Sequence, residues 1–109
     1  MIVGMGVDIV QNERMAIGLA PRTLTPAELE IMGKRRDKLS FLAGRWAAKE
    51  AAKKACGWIT GWDQVEILNG PAGEPFITVQ GLPEGETLHV SISHERDYAV
   101  GVVIRETAS

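Results

Sequence analysis

Residues 2–10, IVGMGVDIV, alternate with a period of two. Val3, Met5, Val7 and Ile9 fall on one face, and Ile2, Gly4, Gly6, Asp8 and Val10 on the other, which predicts a strand. A short helix is expected over about Gln11–Leu19, ended by Pro21. Thr25-Pro26-Ala27-Glu28 is a capping box with proline at the first helical position, so a helix starts there and runs toward Arg36. The strongest 3.6-residue pattern is FLAGRWAAKEAAKKACG, residues 41–57, capped by Ser40 and stopped by Gly57. Period two then returns. Val65–Leu68 and PFITV (75–79) flank the turn-rich NGPAGEP, and LHVSIS (88–93) and YAVGVVI (98–104) flank HERD, with GLPEGE as the loop between the hairpins. Strand, helices, then four strands predict an α+β fold: a largely antiparallel sheet packed against one long helix.

The long helix is unusual in what it offers for packing. On a helical wheel Gly44, Ala47, Ala48, Ala51 and Ala55 share one arc, with Arg45, Lys49 and Lys53 roughly opposite and Glu50 and Lys54 at the border. An arc of small residues lets the helix lie very close to its support and can hold Glu50 near the sheet. The plainer reading of Glu50 is a surface i,i+4 pair with Lys54, worth about 0.3 kcal/mol. Asp8 shares its strand face with Gly4 and Gly6, and glycine inside a strand often marks close approach by a ligand or another backbone. The plainer reading of Asp8 is a strand-end aspartate that caps the next helix. Taken together, the two carboxylates suit a hard cation such as magnesium, which binds one or two carboxylates plus substrate phosphates. Lys54 would then offer a point charge to a phosphate. Zinc fits poorly, because there is no cysteine pair and no HxxxH spacing.

At 109 residues the chain is expected to be one domain, 1–109, of a size that often gains stability by oligomerising. A hydrophobic fraction of 45% with 24% charged residues is ordinary for a soluble globular protein, and the net charge of -2 argues against nucleic acid or a membrane as partner. Charge is uneven, however. Of the 12 Lys and Arg, eight lie between Lys34 and Lys54, where Asp37 and Glu50 are the sole acids. That local basic surface suggests a small anionic ligand or an acidic patch on a partner. KRRDK, 34–38, reads most simply as a solvated charged turn. The single Cys56 forms no intrachain disulfide, fits a reducing compartment, and reads as a packing residue. With no signal peptide pattern and no apolar run long enough to span a bilayer, the expected place is the cytoplasm. Trp46, Trp58 and Trp62 read as core or interface packing, His89 as a sheet-surface residue, and His94, on its own, as an exposed turn histidine.

The combination of segments is more specific than any one of them. GMGVDIV with Arg14 close behind, FLAGRWAAKEAAKKACG, GEPFI and VSISHERDYAVGVVI occur in one order. This resembles the holo-[acyl-carrier-protein] synthase family, the small phosphopantetheinyl transferases, over well more than half the chain. The resemblance implies transfer of 4'-phosphopantetheine from coenzyme A to a serine of an apo acyl carrier protein, with release of adenosine 3',5'-bisphosphate. It implies Asp8 and Glu50 as magnesium ligands, with manganese as the alternative metal, and Lys54 on the pyrophosphate. Arg45 and His94, with Ser93 beside it, match positions near the coenzyme A phosphates, and Arg36 and Lys38 are secondary candidates for its 3'-phosphate. Arg14, with Met15 and Arg22, is expected to face the acidic helix of the carrier. The family is typically a homotrimer with sites in clefts between subunits, which would bring His94 and Asp8 together from different chains. On this reading the helix sits tight so that Glu50 meets Asp8 across one metal ion, and the glycines leave room for ion and pyrophosphate. One departure stands out: in MAIGLAPRTLTP, Gly18 and Pro21 break the helix that usually grips the carrier, and Arg22 is its only further cation. The Gly57-to-Asp63 connection is also short. The rival reading is a coenzyme A or nucleotide-binding module without transfer activity, serving assembly or regulation.

Overall fold

The computed structural model describes residues 1–108. Strands β1 (Ile2–Gln11), β4 (Glu86–His94) and β5 (Tyr98–Thr107) form an antiparallel sheet in the order β1-β5-β4, and β2 (Val65–Asn69) and β3 (Pro75–Val79) form a separate antiparallel hairpin. Three helices lie between β1 and β2: α1 (Ala20–Thr23), α2 (Pro26–Gly33) and the long α3 (Lys38–Ala55). The α+β class and the single long helix are as expected, with the strands divided between two sheets. No helix among the described residues is long and apolar enough to cross a membrane.

Helix α3 lies on β1 and β5 at backbone distance. Ala47, Ala48, Ala51 and Ala52 have no exposed surface. A Cβ on Gly101 of β5 would sit 2.5 Å from Ala48 Cα, one on Gly4 would sit 2.5 Å from the Ala55 carbonyl oxygen, and one on Gly6 would collide with the Ala51 carbonyl. The glycines of β1 therefore admit the helix backbone, and they leave no room there for an ion or a pyrophosphate. This corrects the ligand-space expectation and selects its alternative, a second backbone. The far side of α3 is corrected as well. Arg45 and Lys49, expected on an outer arc, are 5% and 0% exposed. Lys49 Nζ donates to Glu28 Oε1 at 2.6 Å, to the Thr23 carbonyl at 2.8 Å and to the Trp62 carbonyl at 3.3 Å, which uses all three hydrogens. Glu28 closes the capping box by accepting from the Thr25 backbone at 2.8 Å, and its other oxygen accepts from the Ile67 backbone at 2.8 Å. One buried ion pair thus joins α2, α3 and β2. Burial pulls the Lys49 pKa down, and its hydrogen bond to Glu28 opposes the fall.

The element boundaries differ in instructive ways. No continuous helix covers 11–19. Two 3-10 turns, Asn12–Arg14 and Ile17–Leu19, are separated by extended Met15 and Ala16. Pro21 starts α1 instead of ending a helix, in keeping with the fit of proline to a first turn. Helix α2 stops at Gly33, short of Arg36. Helix α3 begins at Lys38 with Asp37 at the cap position, but no side-chain cap forms. The Asp37 carboxylate is instead held by Arg35 through two bonds of 2.8 and 2.9 Å. Ser40 is therefore inside the helix, and its hydroxyl lies 3.1 Å from His94 Nδ1.

The outer face of the three-stranded sheet carries the apolar row of β1. Val3, Met5, Val7 and Ile9 are 40%, 63%, 55% and 63% exposed. Across the ladder Met5, Val7 and Ile9 oppose Ile104, Val102 and Val100. The outer row of β4 is polar, with Thr87, His89, Ser91 and Ser93 exposed, and His89 Nε2 is 2.9 Å from Glu106 Oε1.

Candidate active site

Asp8 stands opposite Gly101 in the β1–β5 register, on the face that α3 covers. Glu50 leaves α3 at the border of its small-residue arc. The two carboxylates line one cleft of about 360 Å³ together with Arg14, Met15 and Trp46. Lys54 Nζ donates to the Val7 carbonyl at 2.8 Å and lies 3.4 Å from Asp8 Oδ1. Glu50 pairs with Lys53 at 3.4 Å, an i,i+3 contact, in place of the expected i,i+4 contact with Lys54. Lys53 also sits over the Trp62 ring, 5.3 Å from its centroid, and Trp62 stacks at a tilt on Trp46 with centroids 4.5 Å apart. Lys53 and Trp46 are additions to the expected residues. Lys53 was accessible from its spacing to Glu50, but the wheel placed it on the outer arc. Trp46 read only as packing.

This donor set fits a hard divalent cation. Both carboxylates keep some exposure, 22% for the Asp8 side chain and 30% for Glu50. Their ammonium contacts of 3.4 Å are longer than the roughly 2.7–2.9 Å of tight charge-assisted bonds. No group of three or more His, Cys, Asp or Glu residues among the described residues could hold a metal by itself. Two carboxylates with the remaining positions left to water and phosphate oxygens match magnesium chemistry and exclude a structural zinc site.

A second cluster forms on the other side of α3. The His94 ring occupies the space that Gly44 leaves, where a Cβ would sit 2.5 Å from His94 Cε1. Burial lowers the His94 pKa from the usual 6.5; Asp37 opposes the shift, and Arg35 and Arg45 add to it. Arg45 is buried, where the wheel predicted an outward position. Its Nη2 donates to Asn69 Oδ1 at 2.6 Å, its guanidinium lies 4.4 Å above the centre of the Phe41 ring, and its buried Nε has no partner. Burial brings its pKa down to about 10, so it stays charged at neutral pH. Lys38 folds back along the surface: its ammonium donates to the Gly33 and Arg35 carbonyls, at and just beyond the end of α2. Arg36 is exposed, as are Lys34, Arg35 and Asp37, so the segment is the solvated charged turn expected, ordered by the Arg35–Asp37 fork. Ser93 is exposed on the outer sheet face and lines a hollow of about 420 Å³ with Ile9, His94 and Tyr98.

One chain keeps these clusters apart. Asp8 belongs to the β1 edge of the sheet and His94 to the β4 edge, with β5 and α3 between them. Of the three residues expected to meet a carrier, Arg14 and Met15 join the carboxylate cleft, whereas Arg22 is exposed on α1 and does not line it.

Comparison with known proteins places this architecture. The family model of the 4'-phosphopantetheinyl transferase superfamily matches residues 4–103. The holo-[acyl-carrier-protein] synthase of Geobacillus kaustophilus is 43% identical, over 97% of this chain and 90% of the relative. That of Paraburkholderia phytofirmans is 42% identical, over 98% and 92%. Its alignment runs over 129 positions against a chain of 109 residues, so the relative carries insertions within the matched span. A crystal structure of a holo-(acyl-carrier-protein) synthase from Bacillus anthracis in complex with CoA (3',5'-ADP) superposes with a TM-score of 0.83 at 34% identity, covering 99% of each chain. The chain belongs to the 4'-phosphopantetheinyl transferase superfamily, among its holo-[acyl-carrier-protein] synthases.

Proposed function

We propose that the chain transfers 4'-phosphopantetheine from coenzyme A to a serine hydroxyl of an apo acyl carrier protein, in the cytoplasm and with magnesium. The observation that supports this reading is the cleft lined by both Asp8 of β1 and Glu50 of α3, with Lys54 Nζ 3.4 Å from Asp8. In the reaction the serine oxygen bonds to the phosphorus on the pantetheine side of the diphosphate, the bond to the bridging oxygen breaks, and adenosine 3',5'-bisphosphate leaves. Asp8 and Glu50 would hold the cation, which supplies charge neutralisation at the phosphate oxygens. Lys54, which rests on the Val7 carbonyl, stabilises the charge that gathers there. Glu50, or a water beside it, takes the serine proton. Arg14, exposed at the mouth of the same cleft, faces the acidic carrier. The work asked of this chain is mostly positioning and electrostatics.

The assembly that suits this chemistry is a homotrimer. The apolar outer row of β1, with Val100, Val102 and Ile104 beside it, is a surface that another copy would cover. Packing of copies would set the carboxylate cleft of one protomer against the His94–Arg45 cluster of another, and the diphosphate and 3'-phosphate of coenzyme A call for both. Light scattering should give a trimer, and a monomer with full activity would refute the shared site.

Incubation with coenzyme A, magnesium and a panel of apo carrier proteins should add the phosphopantetheine mass to a carrier serine, as read by mass spectrometry. Asp8→Ala should abolish the addition, and full activity in that variant would refute the assignment. Coenzyme A binding without modification of any carrier would favour a binding module instead.

A further inference from the structure

Each carboxylate in the cleft has its own ammonium. Asp8 Oδ1 lies 3.4 Å from Lys54 Nζ, and Glu50 Oε1 lies 3.4 Å from Lys53 Nζ. One turn after Glu50 the two lysines stand about 60° to one side and about 40° to the other, so they bracket it. Both ammonium side chains are accessible, at 39% for Lys53 and 54% for Lys54. Each also has a second resting contact, the Val7 carbonyl for Lys54 and the face of Trp62 for Lys53. Loose, accessible pairs of this kind hold little energy and exchange partners readily.

We propose that Lys53 is a second diphosphate-binding ammonium, parked on Glu50 until a divalent cation takes the carboxylates. The proposal rests on the transfer reading above. In the free cleft each of the two carboxylates is paired with one ammonium group, and Arg14 adds a further positive charge to the lining. Occupation of Asp8 and Glu50 by a divalent cation satisfies the carboxylates and leaves two uncompensated positive charges on Lys53 and Lys54. The diphosphate bridge of coenzyme A carries two negative charges, one for each lysine. Lys53 thus opposes metal binding in the empty enzyme and favours substrate binding in the metal-loaded one.

Calorimetry on Lys53→Met separates these roles, with magnesium alone, with inorganic pyrophosphate plus magnesium, and with coenzyme A and its 3'-dephospho form as titrants. The affinity for magnesium alone should rise several-fold. The affinity for pyrophosphate and for coenzyme A in the presence of magnesium should fall about tenfold, the scale of one lost charge-assisted contact at a partly exposed site. Coenzyme A and the 3'-dephospho form should lose equally, and Lys53→Arg should restore binding of both. Unchanged diphosphate affinity, a penalty confined to the 3'-phosphorylated ligand, or a parallel loss of metal and diphosphate binding would each overturn the proposal. A wild-type chain that binds neither magnesium nor coenzyme A would instead remove the transfer reading itself.

Discussion

Lys49 and Glu50 are neighbours on α3 and live under opposite conditions. Lys49 is fully buried, spends every ammonium hydrogen on a fixed acceptor, and has a carboxylate partner that is itself saturated. Glu50 keeps part of its surface in the cleft and has a single loose ammonium contact. The contrast separates charge that builds a fold from charge that waits for a ligand. A buried ion survives only when its partners are complete and close, whereas a binding carboxylate must be left incompletely satisfied so that a cation can displace what it touches.

The largest effect should come from breaking the saturated side. Glu28→Ala strands the Lys49 ammonium in the interior and removes the acceptor for the Ile67 amide, so unfolding free energy should drop by about 3–5 kcal/mol in denaturant titration. An apolar double replacement, Glu28→Leu with Lys49→Met, should recover part of that loss, because it removes both charges together while still leaving the Ile67 amide without its acceptor. If the single variant is as stable as wild type, the buried pair does not hold α2, α3 and β2 together.

The smaller effect comes from His94, whose ring packs into the gap at Gly44 although the residue keeps exposed surface. Its pKa in the folded chain is below the usual 6.5. Between the folded value and 6.5 the unfolded chain binds the extra proton, so this residue's contribution to stability is complete above 6.5 and is lost as pH falls through the folded pKa. A phosphate bound beside the ring reverses that preference and draws a proton onto the imidazole. Coenzyme A affinity should therefore rise as pH falls from the imidazole pKa in the complex toward its lower value in the free folded chain, by at most about tenfold per pH unit for one linked proton. His94→Gln should flatten that part of the profile, and an unaltered slope in the variant would remove His94 from the ligand's surroundings.

Much of this arrangement was legible in local patterns. Period two placed Asp8 with Gly4 and Gly6, the wheel placed Glu50 at the edge of the alanine arc, and Thr25 to Glu28 announced the start of α2. What escaped depends on partners distant in sequence. Nothing near Lys49 names Glu28, Thr23 or Trp62 as its acceptors, so a lysine on a charged arc reads as solvated. Ser40 reads as a cap because its hydroxyl's actual neighbour is His94, 54 residues away. The inward face of β1 is also hard to read from hydrophobicity, because a backbone resting on glycine buries surface without any apolar side chain to announce it.

The pleat of β1 turns this into a rule about reading frame. Its odd-numbered side chains from Val3 to Ile9 look outward, while Gly4, Gly6 and Asp8 look toward α3. Adding or dropping a single residue between Met5 and Asp8 would put the two ends of the strand out of phase, so that either the aspartate turns away from α3 or the methionine turns inward where only hydrogen fits. A change of two residues would preserve the parity. Near its start the strand already absorbs an irregularity, between Ile2 and Gly4, upstream of Met5, Gly6 and Asp8.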